Sequence, residues 1–288
     1  MLQGAGTMLT VDNLVFSYSK KPFIENMSFH VDNGELFGFL GPSGAGKTTL
    51  QKILTGLIPT YKGSAKLGGV ECRAHDNRFY ENIGVDFEYS TLYEKLTARQ
   101  NLEFFASLYA KKTQPIDVML EEIGLQNDAG KKVAEYSKGM KSRLNFIKAL
   151  LHDPDILFLD EPTSGLDPTN SRLMKDMILQ QKAKGKTIFL TTHNMTDATE
   201  LCDRVAFIVN GGIKALDSPH NLIMRKGAAK VSYTYYDGQE LSGECPLAQI
   251  SGDGVLANLI KTNRLLSIHS SEPTLNDIFI EVTGRTLQ

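Results

Sequence analysis

Glycine, lysine and threonine stand in a phosphate-binding order early in the chain, as Gly41-x-x-x-x-Gly46-Lys47-Thr48. Glycines let successive backbone N–H groups curl around phosphate oxygens, the lysine reaches the outer phosphates, and the threonine hydroxyl binds Mg²⁺. A helix that begins at Thr48 would turn its positive end toward the same anion. The spacing therefore predicts a nucleotide site. The residues predicted to contact the nucleotide here are Gly41, Pro42, Ser43, Gly44, Ala45, Gly46, Lys47, Thr48 and Thr49.

Two adjacent carboxylates form the second chemical pattern. Asp160 and Glu161 follow the apolar run Ile156–Leu159, which is typical of a buried strand. Open α/β sheets bind ligands at the carboxyl ends of their strands. We expect Asp160 to bind Mg²⁺ through water and Glu161 to polarise the water that attacks the phosphate. A solvated strand end is the alternative, and the phosphate-binding pattern disfavours it.

His193 completes the predicted catalytic group. It closely follows the apolar run Thr187–Leu190, which would place it at the same edge of the sheet. From that position its side chain can contact the γ-phosphate. A lone histidine there would more often be structural. With Lys47 and Glu161, it makes up the predicted catalytic set.

Strands and helices must alternate to position these residues. A strand at Glu35–Leu40 leads into the phosphate-binding segment, and a helix at Thr49–Leu57 leaves it. The apolar runs at Ile156–Leu159 and Thr187–Leu190 lack polar alternation, which is typical of parallel strands covered on both faces. With a helix at 170–184 between them, they form a strand–helix–strand unit. The order predicts an α/β fold with a parallel sheet.

Smaller units are predicted around that sheet. The runs Leu14–Tyr18 and Met27–Val31 indicate antiparallel strands, and residues 91–151 indicate a mostly helical insertion. Gly211-Gly212 predicts a hairpin turn. The composition shifts after about residue 221, where a small α+β extension is expected. Its predicted elements are strands at 231–236 and 265–269 and a helix at 275–283, while 205–209 adds a strand to the parallel sheet.

Composition excludes several other classes of protein. The 288 residues carry a net charge of −2, which disfavours nucleic-acid binding. Three scattered cysteines predict neither a disulfide framework nor a metal site. No apolar run approaches the ~20 residues of a membrane span, and no signal peptide is expected. Met8 can serve as the natural start, so residues 1–7 are an open question.

Five ordered motifs together resemble one family. Tyr136-Ser-Lys-Gly-Met140 is similar to the signature motif of ABC transporter ATPases, and Ser164-Gly-Leu-Asp167 resembles their D-loop. His193 matches their switch histidine, and Tyr18 falls where the family stacks an aromatic ring on adenine. The resemblance spans about residues 9–217. It implies a P-loop NTPase ABC ATPase core at 8–220 with an antiparallel β subdomain and a helical signature subdomain, plus a C-terminal α+β extension at 221–288.

The resemblance also implies a shared site. In the family, the signature of one subunit binds the γ-phosphate held by the other subunit, so that two ATP molecules lie between two head-to-tail chains. Ser137, Gly139 and Asp167 would therefore contact ATP bound to a second copy or a homologue of this chain. A helix capped by Ser137 would point its positive end outward, although an ordinary capped helix is the alternative.

The chain departs from the family pattern at three positions. Lys138 replaces a signature glycine, Met140 replaces the glutamine, and Glu88 stands where the Q-loop glutamine is usual. We expect Glu88 to join Thr48 and Asp160 near Mg²⁺, unless it simply points to solvent. These departures, and the tail Asn276–Arg285, resemble ATPases that export drugs, bacitracin or lantibiotics.

The expected function is an ATP-hydrolysing subunit that powers an ABC exporter. A polytopic membrane subunit would be its partner, at the cytoplasmic face of the plasma membrane, with no nucleic acid bound. The loop Tyr89–Thr97 would meet that subunit. A soluble ABC ATPase, a non-hydrolysing cassette and an importer ATPase are the alternatives. The intact Lys47 and Glu161 disfavour the non-hydrolysing cassette.

Overall fold

The computed structural model describes residues 6–88, 91–226, 230–271 and 273–284. Met1–Ala5, Tyr89 and Arg285, which enter the expectations above, lie outside these ranges. Contacts divide the chain between Leu216 and Asp217 into two compact units. The strands and helices are β1 (Thr7–Phe16), β2 (Ile24–Asp32), β3 (Leu36–Leu40), α1 (Lys47–Leu54), β4 (Lys62–Leu67), β5 (Val70–Glu71), α2 (Asn77–Tyr80), β6 (Ile83–Asp86), α3 (Ala98–Ala106), α4 (Ile116–Glu122), α5 (Lys138–Lys148), β7 (Ile156–Asp160), α6 (Pro168–Ala183), β8 (Thr187–Thr192), α7 (Met195–Leu201), β9 (Arg204–Val209), β10 (Gly212–Asp217), α8 (Pro219–Lys226), β11 (Lys230–Tyr236), β12 (Glu240–Pro246), α9 (Gly254–Lys261), β13 (Leu265–Ser271) and α10 (Leu275–Thr283).

A six-stranded sheet forms the centre of the first unit, in the order β10-β9-β3-β8-β7-β6. Strands β9, β3, β8, β7 and β6 run parallel. All residues of β3, β7 and β8 are buried, as expected for unalternating apolar strands covered on both faces. The register pairs Leu40 with Thr192 and Asp160 with Thr191. The carboxyl ends of β3, β7 and β8 therefore meet at one edge.

The antiparallel sheet of the first unit has the order β2-β1-β4-β5. It packs on the parallel sheet through stacked phenylalanines, where the ring centroids of Phe29 and Phe37 lie 5.5 Å apart. Two short strands were predicted in this region. The first of them, β1, is longer than predicted. It begins earlier, at Thr7, and ends at Phe16, two residues before the predicted end at Tyr18. The hairpin turn was predicted one residue too late, since Asn210 and Gly211, both with positive φ, form it.

Helices fill the segment between β6 and β7. Thr97 begins α3 with a capping box, in which its side chain accepts from the backbone of Gln100 and the Gln100 side chain accepts from the backbone of Thr97. The helix α5 begins as predicted, and Ser137 caps it. It ends at Lys148, three residues before the predicted end. No helix in the described ranges is long and apolar enough to span a bilayer.

The second unit contains a three-stranded sheet in the order β12-β11-β13. One face packs on α9 through a small core that includes Val231, Tyr233 and Leu256. The predicted strands at β11 and β13 and the helix α10 are present, whereas β12 and α9 were missed. Gly243 in β12 leaves room for the Tyr233 ring, because a Cβ there would overlap that ring.

Candidate active site

The phosphate-binding segment is the turn between β3 and α1. Its backbone takes the left-handed conformation at Gly44, with φ of 77°, and at Gly46, with φ of 112°. Glycine adopts these angles without the steric cost that other residues incur. Gly46 is the N-cap of α1, so the free N–H groups at the start of the helix face the turn. The segment therefore has the form of an anion cradle.

Gly41 is required at the start of this turn for a different reason. A Cβ at Gly41 would overlap the carbonyl oxygen of Ile208 on the neighbouring strand β9. This carbonyl belongs to a strand of the central sheet, which leaves little room for relaxation. We expect Gly41→Ala to lower the free energy of unfolding by about 1–3 kcal/mol, because overpacked sites typically lose that much. Thermal unfolding checks this. Gly212→Ala, where the nearest heavy atoms lie 4.0 Å away, is the control and should unfold like the parent. If Gly41→Ala unfolds at the same temperature as the parent, the proposed steric overlap with Ile208 is wrong.

Lys47 is held inside the turn. Its Nζ donates to the carbonyl oxygens of Gly41 at 2.6 Å and Pro42 at 3.3 Å. The side chain is buried, and its Nζ lies 3.6 Å from Glu161 Oε1. An ammonium so placed can exchange its carbonyl partners for phosphate oxygens at little cost in ordering.

Thr48 and Asp160 form a pair of oxygen donors beside Lys47. Thr48 Oγ1 donates to Asp160 Oδ2 at 3.0 Å, and Thr191 donates to the other carboxylate oxygen. Asp160 is 4% exposed, so its orientation is fixed by these hydroxyls and by β7. Hard oxygen ligands of this kind suit Mg²⁺.

Glu161 sits at the centre of a converging set of donors. Thr192 Oγ1 donates to its Oε2 at 3.0 Å, and His193 Nδ1 donates to its Oε1 at 2.8 Å. The His193 backbone N–H donates to Oε2 at 3.3 Å. Glu161 has a φ of 50°, a sparsely populated angle for a residue with a side chain. Strain of this kind clusters at functional sites, and here it accompanies the positioning of the carboxylate.

A cavity of about 260 Å³ joins these groups. Glu88, Asp160, Glu161 and His193 line it together with six of the nine predicted residues of the phosphate turn, whereas Gly41, Pro42 and Ala45 do not. Glu88 follows β6 by two residues and is exposed. Phe23 also lines the cavity and was missed by the sequence argument. Its only signal was an aromatic residue between two predicted strands.

Tyr18 lies beside the start of α1. Its hydroxyl shares a hydrogen bond of 3.0 Å with Thr49 Oγ1. Phe16 and Phe23 meet its ring edge to face, with centroids 4.7 and 5.5 Å away. The side chain is 65% exposed. An exposed, oriented ring next to an anion cradle is suited to stacking on a nucleotide base.

The signature residues do not line this cavity. Ser137 caps α5 and accepts from the Met140 backbone at 3.3 Å. Asp167 caps α6 and accepts from the backbone of Asn170 at 3.0 Å. The Asn170 side chain, missed by the sequence argument, donates to Asp167 and occupies the space that a Cβ on Gly139 would need. The signature and the D-loop are thus packed on each other.

A second cavity, of about 320 Å³, lies on the other side of the acidic residues. It shares Glu88, Asp160 and Glu161 with the first and also contacts Asp86 and Asn145. Burial raises the pKa of the Asp86 carboxyl to about 7, against the opposing effect of Lys148. No sequence motif marked Asp86.

Known proteins share both the motifs and the fold. A family model described as ABC transporter matches residues 24–164. The fluoroquinolones export ATP-binding protein of Mycobacterium tuberculosis is 47% identical over 284 residues, which cover 97% of this chain and 94% of that protein. The chain belongs to the ABC transporter ATP-binding proteins. Further relatives are the Nod factor export ATP-binding protein I of Burkholderia orbicola, 35% identical over 96% of this chain and 97% of that protein, and the linearmycin resistance ATP-binding protein of Bacillus subtilis, 31% identical over 98% and 100%.

Solved structures agree with this ABC ATPase assignment. One described as the ATP binding subunit of an ABC transporter has a TM-score of 0.69 and 29% identity, and covers 76% of this chain and 93% of that one. A dimeric ATP-binding cassette bound to ADP and Pi has a TM-score of 0.65 at 22% identity, over 73% of this chain and 98% of that one, which shows the fold. The predicted family, ABC ATPase fold and ATP-hydrolysing exporter subunit are therefore confirmed.

Proposed function

We propose that this ABC ATPase hydrolyses ATP at the cavity between Lys47 and Glu161 and thereby drives export through a separate membrane subunit. The observation that carries the proposal is the placement of Glu161. Its buried carboxylate is held by Thr192 and His193 and lies 3.6 Å from the Lys47 ammonium. A base, a cation and an anion cradle converge there, which is the arrangement that phosphoryl transfer to water requires.

Lys47 and the N–H groups of the phosphate turn bind the outer phosphates. The oxygens of Thr48 and Asp160 fit Mg²⁺, directly or through water, and Glu88 presents a third oxygen donor to the same cavity. The ion supplies charge neutralisation on the phosphate oxygens. Tyr18 stacks on the adenine, since its ring is exposed beside Thr49.

Glu161 orients the attacking water and accepts its proton. His193, 45% exposed, fixes the carboxylate through Nδ1 and directs its other ring edge toward the γ-phosphate. The γ-phosphoryl group passes to the water oxygen, the bond to the β-phosphate oxygen breaks, and ADP and phosphate are the products. Lys47 stabilises the charge that builds on the phosphate oxygens.

A second copy of the chain completes the site in this proposal. Ser137 and Gly139 lie outside the cavity, yet Ser137 caps an eleven-residue helix whose free N–H groups suit an anion. In a head-to-tail pair, Ser137 and Asp167 of each copy face the ATP of the other. Two ATP molecules then lie in the interface.

The membrane subunit docks beside the loop that follows Glu88. A groove of about 250 Å³ opens there, and Leu57, Tyr80, Phe87 and Phe105 are among its lining residues. Leu57 is 55% exposed and Tyr80 is 37% exposed, so the groove has apolar surface that a partner can cover. We place this contact at the cytoplasmic face of the plasma membrane, where ATP is available.

The exported compounds in this proposal are drugs, peptides or antibiotic-like compounds. The relatives named for fluoroquinolones, Nod factors and linearmycin support this class. The test is co-purification of the tagged chain with its membrane subunit, followed by ATPase assays with fluoroquinolones and with linearmycin. Stimulated hydrolysis supports the proposal. An isolated chain without a membrane partner, and with ATPase activity indifferent to every compound, would contradict it.

Glu88 offers a separate prediction about the metal site. We expect Glu88→Ala to lower kcat roughly tenfold and leave KM for ATP nearly unchanged, because it removes one oxygen donor while the phosphate turn stays intact. Glu88→Gln should be milder, since the amide keeps an oxygen of similar reach. Mg²⁺-dependent ATPase rates check both. Glu122→Ala, an exposed carboxylate at the end of α4, is the control. Parent kcat in Glu88→Ala would mean that Glu88 only faces solvent.

A further inference from the structure

A buried polar group connects the helix α5 with the loop that carries Glu88. Asp86 is the last residue of β6, two residues before Glu88, and is 6% exposed. The side-chain amide of Asn145, on α5, donates to its carboxylate. Asn145 is 3% exposed, so both partners are shielded from water. Removing one partner of a contact this deep leaves the other polar group without its hydrogen bond, which costs more than it does at an exposed contact.

Lys148 extends the same group by one turn of α5. Its Nζ donates to Asn145 Oδ1 at 2.8 Å and to Thr91 Oγ1 at 2.5 Å. It also lies 4.9 Å from the centre of the Phe105 ring on α3. Thr91 follows Glu88 by three residues, and Asp86 precedes it by two. Asp86 on one side of Glu88 and Thr91 on the other are therefore both hydrogen-bonded to side chains of α5.

The charges of the group are complementary. Asp86 brings a carboxyl group and Lys148 an ammonium group to the same side chain, Asn145. Asn145 lies between them. Its side-chain N–H donates to the Asp86 carboxylate, and its side-chain oxygen accepts from the Lys148 ammonium. Removing the side chain of Asp86, Asn145 or Lys148 leaves a polar atom of the group without its hydrogen-bond partner. The remaining contacts of the group are then weakened.

We propose that Asp86, Asn145 and Lys148 form a polar bracket that holds Asp86 and Thr91, two described residues on either side of Glu88, against α5 and so sets the position of Glu88 in the ATP site. The bracket residues are positioning residues, because they act through Glu88. This inference rests on the proposed role of Glu88. It explains why a buried polar group occurs here, at the carboxyl end of the edge strand of the parallel sheet.

The test is a double-mutant cycle between Lys148→Met and Glu88→Ala in the full chain, with kcat and KM for Mg-ATP measured in each variant. Lys148→Met keeps most of the apolar stem of the side chain and removes its charge. We expect it to lower kcat roughly tenfold with KM within about twofold of the parent, because misplacing a catalytic contact by a fraction of an ångström has effects of this order. In the Glu88→Ala background, the same change should cost almost nothing further.

The control is Lys182→Met, which removes a half-buried lysine that lies 2.6 Å from Asp203 and far from Glu88 in the chain, and it should behave as the parent. A general folding defect would multiply with the Glu88 effect, so losses that multiply would overturn the proposal. Parent kcat in Lys148→Met or in Glu88→Ala would also overturn it. If Lys148→Met fails to fold, Asp86→Asn replaces it in the cycle, with the same expected result. If the bracket proposal is wrong, variants of Lys47 and Glu161 still lose ATP hydrolysis. If the ATPase proposal is wrong, they do not, so the two failures are distinguishable.

Discussion

Glu161→Gln is expected to retain ATP and to stop turning it over. The amide has the size and shape of the carboxylate, and its oxygen can still accept from Thr192 and the His193 backbone N–H, but it cannot accept the proton of the attacking water. Loss of a general base costs about 10²–10⁴ in rate. We expect kcat to fall by about that factor and the affinity for Mg-ATP to stay within a fewfold of the parent.

Phosphate release and equilibrium ATP binding are the two measurements for this variant. Size-exclusion chromatography with Mg-ATP should also show a stabilised dimer, because the sandwiched nucleotide is no longer consumed. Glu121→Gln, an exposed residue on α4, is the matched control and should turn over normally. Turnover by Glu161→Gln at the parent rate would remove Glu161 from the water-activating role.

Lys47→Ala is expected to lose both binding and hydrolysis. The ammonium is buried within the phosphate turn and already donates to Gly41 and Pro42, so it is oriented for phosphate before ATP arrives. Charge-assisted hydrogen bonds of this kind contribute about 1.5–3 kcal/mol, which corresponds to ATP affinity lower by roughly 10- to 100-fold. Stabilisation of the phosphate charge in the transition state is lost as well.

Lys52→Ala provides the control for Lys47→Ala, because Lys52 is exposed on the same helix and does not line the cavity. Its ATP affinity and kcat should match the parent. Calorimetric titration with ATP in the absence of turnover, followed by steady-state phosphate release, separates binding from catalysis. Unchanged affinity and rate in Lys47→Ala would contradict the assignment of the phosphate turn.

The sequence alone could predict the local geometry of residues that are close together in the chain. The residues of the phosphate turn, Asp160 with Glu161, and the cap at Ser137 each depend on short spacing, and local geometry follows from such spacing. Parallel packing of β7 on β8 then brings Glu161 and His193 together, as the apolar runs predicted.

Contacts between distant segments could not be found in this way. The contact of Asp86 with Asn145 joins residues 59 apart, and neither belongs to a motif. The position of the Asn170 side chain could not be predicted from the sequence either, because it depends on the absence of a Cβ at Gly139 on another helix. The strand β12 was missed because Gly243 and Pro246 weaken its pattern, although its pairing with β11 outweighs that local preference.

The claim that two copies share each ATP site is tested most directly by mixing two inactive variants of the full chain. Lys47→Ala leaves the signature intact, and Ser137→Arg leaves the phosphate turn intact. In a head-to-tail dimer of the mixture, one site joins the intact phosphate turn of one copy to the intact signature of the other. Our account predicts that each variant alone releases almost no phosphate from Mg-ATP and that the mixture regains measurable release. A mixture that stays as inactive as its components, although the two variants co-purify as a dimer, would contradict it.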